Sequence, residues 1–303
     1  MNRLVVLMVI LLVLVSCAPR AQESDAVALF YPLYDVTRNI AGDKMSVKSF
    51  IPAGVEPHSF DPSPSDLMSL SRAKVFVGTG IDFEGMEKRF ESSLSQSAFI
   101  IRAFEGIDLI EGVDVHEEEG EEEHAEETEE HKENIDPHVW LSPKNMINIA
   151  NNIKEGLKRA NPENADYYEQ NARNYVAQIE QLDKDFTQGL SNCKKNKILT
   201  THAAFSYLAR DYGFEQVPIY GLSPEAEPTP HQIIALIDSA KANDLKYVFY
   251  EELVDPRVSQ TIAREVGAQT LALNPVESGS ESESYISIMR ENLNNLRVAL
   301  ECE

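Results

Sequence analysis

Seven histidines punctuate the chain, and three of them stand where a protein of alternating strands and helices would bring side chains together. His58 follows an extended segment, within Gly54-Val55-Glu56-Pro57-His58-Ser59-Phe60. His138 follows a proline in Asp136-Pro137-His138-Val139-Trp140, two residues before the single tryptophan. His202 closes an apolar run in Leu199-Thr200-Thr201-His202. One such histidine by itself reads as a hydrogen-bonded structural residue. Three at strand-end loops point to a metal, because imidazole suits Zn2+ and three imidazoles with one further group complete a tetrahedral shell. That further group is a carboxylate or water, and Glu277, in Leu273-Asn274-Pro275-Val276-Glu277 after the last expected strand, is the first choice. Glu251 and Glu252 end another strand and read as carboxylates that orient ligands or cap a helix. Asp136 reads equally as a partner for the His138 ring and as the turn residue of an Asp-Pro pair.

The other histidines are of two kinds. His116, His124 and His131 belong to an acidic run in which residues 117–133 hold eleven glutamates against one lysine. This run has no hydrophobic period and cannot bury enough apolar area to offset its ordering entropy, so it reads as a mobile loop. Such a loop holds divalent ions weakly and raises their concentration near a cleft. His231 begins a helix after Pro230 and reads as a surface residue.

For the three histidines to meet, the chain must form parallel sheets whose carboxyl ends face one another, since ligands bind outside those ends. The pattern fits. Apolar runs at 27–30, 47–51, 74–78 and 99–103 read as strands, with helices at 33–41 (stopped by Gly42) and from Pro64 after a Ser63 cap. In that second helix Leu67, Met68 and Leu70 are the apolar positions. A helix over 145–159 follows the acidic run. Tyr168, Ala172, Tyr175, Ile179, Leu182, Phe186 and Leu190 then recur every three or four residues, so 164–190 reads as one helix about 40 Å long. The second half repeats the plan, with strands at 197–200, 216–220, 245–250 and 269–273. Its helices are expected at 203–212, 230–242, 256–266 and 285–300. Strands separated by helices imply right-handed βαβ units. The expected fold is α/β, two lobes with parallel sheets joined by one long rigid helix, with the metal site in the interlobe cleft. The expected division is a leader over 1–17, an N-terminal lobe over 25–160 carrying the loop 116–133, a linker helix over 161–192 and a C-terminal lobe over 193–303.

Composition narrows the partners. The 303 residues carry a formal charge of −23, which argues against nucleic acid and favours cations. Arg3 precedes twelve apolar residues, 4–15, and then Ser16-Cys17. That core is short for a bilayer span and right for a signal peptide. Leu14-Val15-Ser16-Cys17 resembles a lipobox, which makes Cys17 the lipidated residue and places the mature chain outside the cytoplasmic membrane, tethered by acyl chains. Cys193 and Cys302 remain, and an oxidising compartment favours a bridge between two leftover cysteines, with two free thiols the alternative. The sequence contains no HExxH, P-loop or nucleophile elbow.

Taken together these residues resemble the zinc/manganese solute-binding lipoproteins of ABC importers, the ZnuA-like or TroA-type group (cluster A-I). The likeness covers essentially the whole mature chain. It is carried by residues 54–66, by Asp136-Pro137-His138-Val139-Trp140-Leu141-Ser142-Pro143, by Thr201-His202-Ala203-Ala204-Phe205, by residues 221–228 and by Glu251-Glu252. The resemblance implies a non-enzymatic metal carrier, monomeric, that yields its ion to a membrane ABC permease. It carries the ligand role onto His58, His138 and His202. Manganese-preferring members have a carboxylate where this chain has His202, so three imidazoles imply zinc, with manganese the alternative. The fourth position varies in the family between carboxylate and water. Zinc members often carry a His-rich acidic loop, here richer in Glu than in His. Trp140 is expected to pack behind the site, and capture to weaken below about pH 6.5, where imidazole protonates. A continuous interlobe helix implies modest adjustment rather than wide closure. A zinc hydrolase is the rival of a different class, since three histidines plus water form a catalytic set. A surface adhesin is a third reading.

Overall fold

Strand and helix alternate throughout the computed structural model, which describes residues 25–112, 135–224, 228–280 and 282–303. In the first half β1 (Ala26–Ala28), β2 (Val47–Ser49), β3 (Val75–Gly78) and β4 (Phe99–Arg102) form a parallel sheet in the order β2-β1-β3-β4. In the second half β5 (Lys197–Thr200), β6 (Glu215–Pro218), β7 (Tyr247–Tyr250) and β8 (Gln269–Ala272) form another, ordered β6-β5-β7-β8. The two sheets share one topology, each with the strand order reversing beside its first strand. At such a reversal the loops diverge to opposite faces and leave a crevice at the carboxyl ends.

Parallel pairing requires a crossover, and helices supply it. The N-terminal helices are α1 (Tyr31–Ala41), α2 (Pro64–Leu70) and α3 (Glu87–Ser93), followed by α4 (Pro143–Ala160). Their ends are written locally. The Ser63 hydroxyl accepts from the Asp66 N–H in a capping box, and Ser142 caps α4 through the Asn145 N–H. Gly42 ends α1 at φ 55°, where a Cβ would also strike the Tyr167 ring. The C-terminal half contributes α6 (Ser206–Tyr212), α7 (Pro230–Ala242), α8 (Arg257–Val266) and α9 (Tyr285–Ala299).

Between the halves runs α5 (Ala165–Gly189), one unbroken helix of 25 residues. Its buried stripe is Tyr168, Ala172, Tyr175, Ile179, Leu182 and Phe186. The helix packs on α1 and α4 of the first half and on α9 of the second. A single core therefore reaches from Phe30 and Trp140 through Phe186 to Phe205, Phe249 and Tyr285. A smaller core, with Leu199, Val248 and Ile262, lies under α7 and α8. Cys193 and Cys302 are joined by a disulfide across 109 residues of sequence, tying the start of the second half to the chain's last turn.

Some expectations shift. Met68 is 65% exposed, because the two-turn α2 has a single fully buried residue, Leu70. Helix α3 was not foreseen, since Phe90 is its one buried apolar anchor. Helix α6 begins at Ser206 rather than 203, because residues 201–205 leave β5 as an irregular segment that presents His202. The proposed leader with Cys17, the acidic run with His116, His124 and His131, and residues 225–227 lie outside the described residues.

Candidate metal centre

Each of the four residues named from sequence is delivered by a different loop. After β2, the Glu56 carboxylate accepts the backbone N–H of His58 at 3.1 Å and starts a tight 3-10 turn, Pro57–Ser59. His138 is set by Asp136, whose Oδ1 accepts the His138 N–H at 2.9 Å and lies 2.8 Å from ring Nδ1. Asp136 itself is held from both sides. Its N–H donates to the Ile110 carbonyl, and its carbonyl accepts from the Tyr207 hydroxyl. His202 leaves β5 and its Nδ1 lies 2.8 Å from both oxygens of Glu251, which follows β7. Strands β5 and β7 flank the order reversal of the second sheet, so ligand and orienting carboxylate meet where a crevice is expected. Glu277 follows β8.

These four loops converge on a point. His138 Nε2 lies 3.2 Å from His58 Nε2 and 3.1 Å from His202 Nε2. Glu277 Oε1 lies 3.3, 3.4 and 3.6 Å from the Nε2 atoms of His58, His138 and His202. A regular tetrahedron with such edges has its centre about 2.0 Å from each corner, the length of a Zn–N or Zn–O bond. For His138 and His202 the carboxylate beside Nδ1 fixes the ring so that Nε2 is the nitrogen facing the centre. All four residues are buried: His58 is 7% exposed, Glu277 2%, and His138 and His202 fully enclosed.

Behind the histidines stands an aromatic wall. The Trp140 ring lies 5.3 Å from His138, Phe83 lies 5.5 Å from His58, and Phe30 meets Trp140 edge to face. Trp140 Nε1 donates to the Pro275 carbonyl at 2.7 Å, so the tryptophan packs behind the site and braces the Glu277 loop. In front lies a cavity of about 330 Å³ whose lining includes Glu56, Glu251, Glu252, Glu277 and Glu283. A mouth of carboxylates over low-dielectric walls draws cations inward.

The charges are strongly coupled. Burial alone would lower the His202 imidazole, but the Glu251 carboxylate, then Glu277, outweighs it and holds His202 well above its ordinary value. Burial would raise Glu277, and hydrogen bonds from His138, His202 and His58 instead hold it well below the carboxylate range. Burial, then the neighbouring Glu277, pushes Glu56 up to about 7. The onset of proton competition expected at about pH 6.5 therefore moves upward for His202, because its buried carboxylate partner stabilises the imidazolium.

Two contributors had not been singled out from sequence. Glu56 had a signal, a glutamate two residues before a histidine in a proline turn. Phe83 had none, since it reaches His58 only through the fold. His231 is exposed, and Glu252 lines the cavity without entering the cluster.

A family model described as zinc-uptake complex component A, periplasmic, matches residues 27–299. The zinc-binding protein AdcA of Streptococcus pyogenes serotype M3 is 38% identical over 283 residues, 90% of this chain and 55% of that protein. The chain thus spans about half the length of this streptococcal relative. The high-affinity zinc uptake system protein ZnuA of Bacillus subtilis is 36% identical, over 94% of this chain and 90% of its own. Among solved structures, the Zn(II)-bound ZnuA-like domain of Streptococcus pneumoniae AdcA superposes with a TM-score of 0.76 at 33% identity, covering 92% of this chain and 99% of that one.

Proposed function

The chain belongs to the periplasmic zinc-uptake component A family, and from that premise we propose that it captures Zn2+ outside the cytoplasm and yields it to a membrane ABC permease. The observation that carries this reading is the arrangement of three Nε2 atoms and one carboxylate oxygen at tetrahedral spacing, all buried. His58, His138, His202 and Glu277 are the ligands. Asp136 and Glu251 fix two of the rings, and the carboxylate mouth gathers the ion. Because Glu277 occupies the fourth corner, no position is left for the attacking water that a zinc hydrolase would need. Three borderline-soft imidazoles favour Zn2+ over Mn2+, whose usual donors are oxygens. Cys17 is the lipid anchor, the protein acts as a monomer, and residues 25–160, 161–192 and 193–303 are its first lobe, linker and second lobe. The core shared through α5 supports limited lobe movement.

Calorimetric titration of metal-free mature protein with each ion tests the assignment. Zn2+ is expected to bind at one tight site at least about 100-fold more strongly than Mn2+. Equal or tighter Mn2+ binding would sink the assignment.

The acidic run holds further Zn2+ weakly through His116, His124 and His131. Its flanks are already closed to one another, with Glu111 bridged to Ile135 and the Asp136 N–H donating to Ile110. Deleting residues 116–133 is therefore expected to abolish only weak binding in the same titration. Loss of the tight site would overturn this role for the run.

A further inference from the structure

Among the four ligands of the proposed site, Glu277 is positioned in a different way. His138 and His202 are each held by a carboxylate on Nδ1, and the His58 N–H by Glu56. The Glu277 carboxylate has one oxygen facing the three imidazoles, and its Oε2 is buried without a hydrogen-bond partner among the described residues. Among the described residues no side chain outside the cluster hydrogen-bonds it. The backbone must aim it.

That backbone is unusual one residue earlier. Val276 sits at φ 59°, in the left-handed region that a β-branched residue rarely enters, and its side chain is fully buried in the core shared by the two lobes. The turn is held from several directions. The Val276 N–H donates to Asn274 Oδ1 at 2.7 Å. The Asn292 side chain accepts the Asn274 N–H and donates to its carbonyl, and Pro275 is held by Trp140. Beyond the ligand, Ser278 Oγ accepts the Gly54 N–H at 2.6 Å, from the loop that carries His58. Gly279 lies on the Tyr31 ring so closely that a Cβ would come within 2.2 Å of it.

We propose that Val276 is a positioning residue: its buried side chain, pinned in a left-handed turn, fixes the direction in which Glu277 enters the metal site. A glycine there would adopt the same φ without strain but would lose the buried anchor and gain conformational freedom. The turn would then present the carboxylate only part of the time, and affinity for the ion would fall by the fraction of time lost.

This inference rests on Glu277 being a ligand, and a double-mutant cycle separates the two. Zn2+ affinity is measured by competition with a chelator for the mature protein, Val276→Gly, Glu277→Ala and the double variant, with circular dichroism confirming the fold. Val276→Gly is expected to weaken binding by about tenfold when Glu277 is present, and by less than about twofold in the Glu277→Ala background. Equal weakening in both backgrounds, or none in either, overturns the positioning role while leaving Glu277 a ligand. If Glu277→Ala itself leaves affinity unchanged, the ligand reading fails and this inference with it. Asn274→Ala removes the acceptor of the Val276 N–H and serves for the same cycle should the glycine variant not fold. It is expected to show the same dependence on Glu277.

Discussion

Replacing His202 by alanine is expected to weaken Zn2+ binding by about a hundredfold to a thousandfold. Binding of Zn2+ by four protein ligands is worth roughly 10–16 kcal/mol at neutral pH, so one ligand in four carries about 2.5–4 kcal/mol. The substitution also changes the metal-free protein. Glu251, 3% exposed, loses the ring it accepts from and keeps only the residue-202 backbone N–H, 3.3 Å from its Oε1. Taking a ring donor from a buried carboxylate is destabilising, so the midpoint of thermal unfolding should fall as well. Two measurements separate these effects. Chelator competition reads the affinity, and a thermal scan of the metal-free variant reads the cost of taking the ring from Glu251. A variant that folds and binds Zn2+ as the parent does would remove His202 from the ligand set. The comparison with Mn2+ adds a sign, because removing an imidazole takes away the donor that Zn2+ values more, so the Zn2+ preference should narrow.

His202 also shows what the sequence could and could not convey. Its place at the end of an apolar run is local information, as is the Ser63 cap with Asp66 three residues later or the stripe of α5 from Tyr168 to Phe186. Each depends on a few neighbouring residues and on the period of one element, so each can be read directly. That His58, His138 and His202 share one cleft followed from the rule that binding loops leave the carboxyl ends of parallel strands. The role of Glu251 was less legible. Its pairing with His202 spans 49 positions and depends on β5 and β7 being neighbours, a strand order that no local pattern encodes. The same holds for Trp140 with Pro275 and Gly54 with Ser278, contacts between lobes 135 and 224 positions apart. Helix α3 escaped for the opposite reason: with one buried apolar anchor, Phe90, it has no period to detect. The left-handed Val276 is the clearest instance, because local propensity argues against it and only the surrounding bonds hold it there.

Acidification is expected to weaken Zn2+ binding while the metal-free protein keeps its own stabilising charge pair. His202, held above its ordinary value, carries a proton at neutral pH that the incoming ion must displace. Below the raised His202 value affinity should fall about tenfold per pH unit, one proton per ion. Between pH 7.5 and 5.5 that slope amounts to a loss of about a hundredfold. The linkage to folding runs the other way. The raised His202 contributes stability that is fully present below the unfolded imidazole value and is lost as pH rises through the folded one. The depressed Glu277 contributes stability present above the ordinary carboxylate range and lost as pH falls through its lowered value. Between those limits the empty site is held by its own imidazolium–carboxylate pair, so a falling pH ejects the ion from a protein that remains folded. Chelator competition across pH 5.5–8.5 measures the slope. Calorimetry in two buffers of different ionisation enthalpy counts the protons released. Binding that is independent of pH above about 6.5, with no proton released, would mean that His202 is neutral in the free protein and that Glu251 orients its ring without charging it.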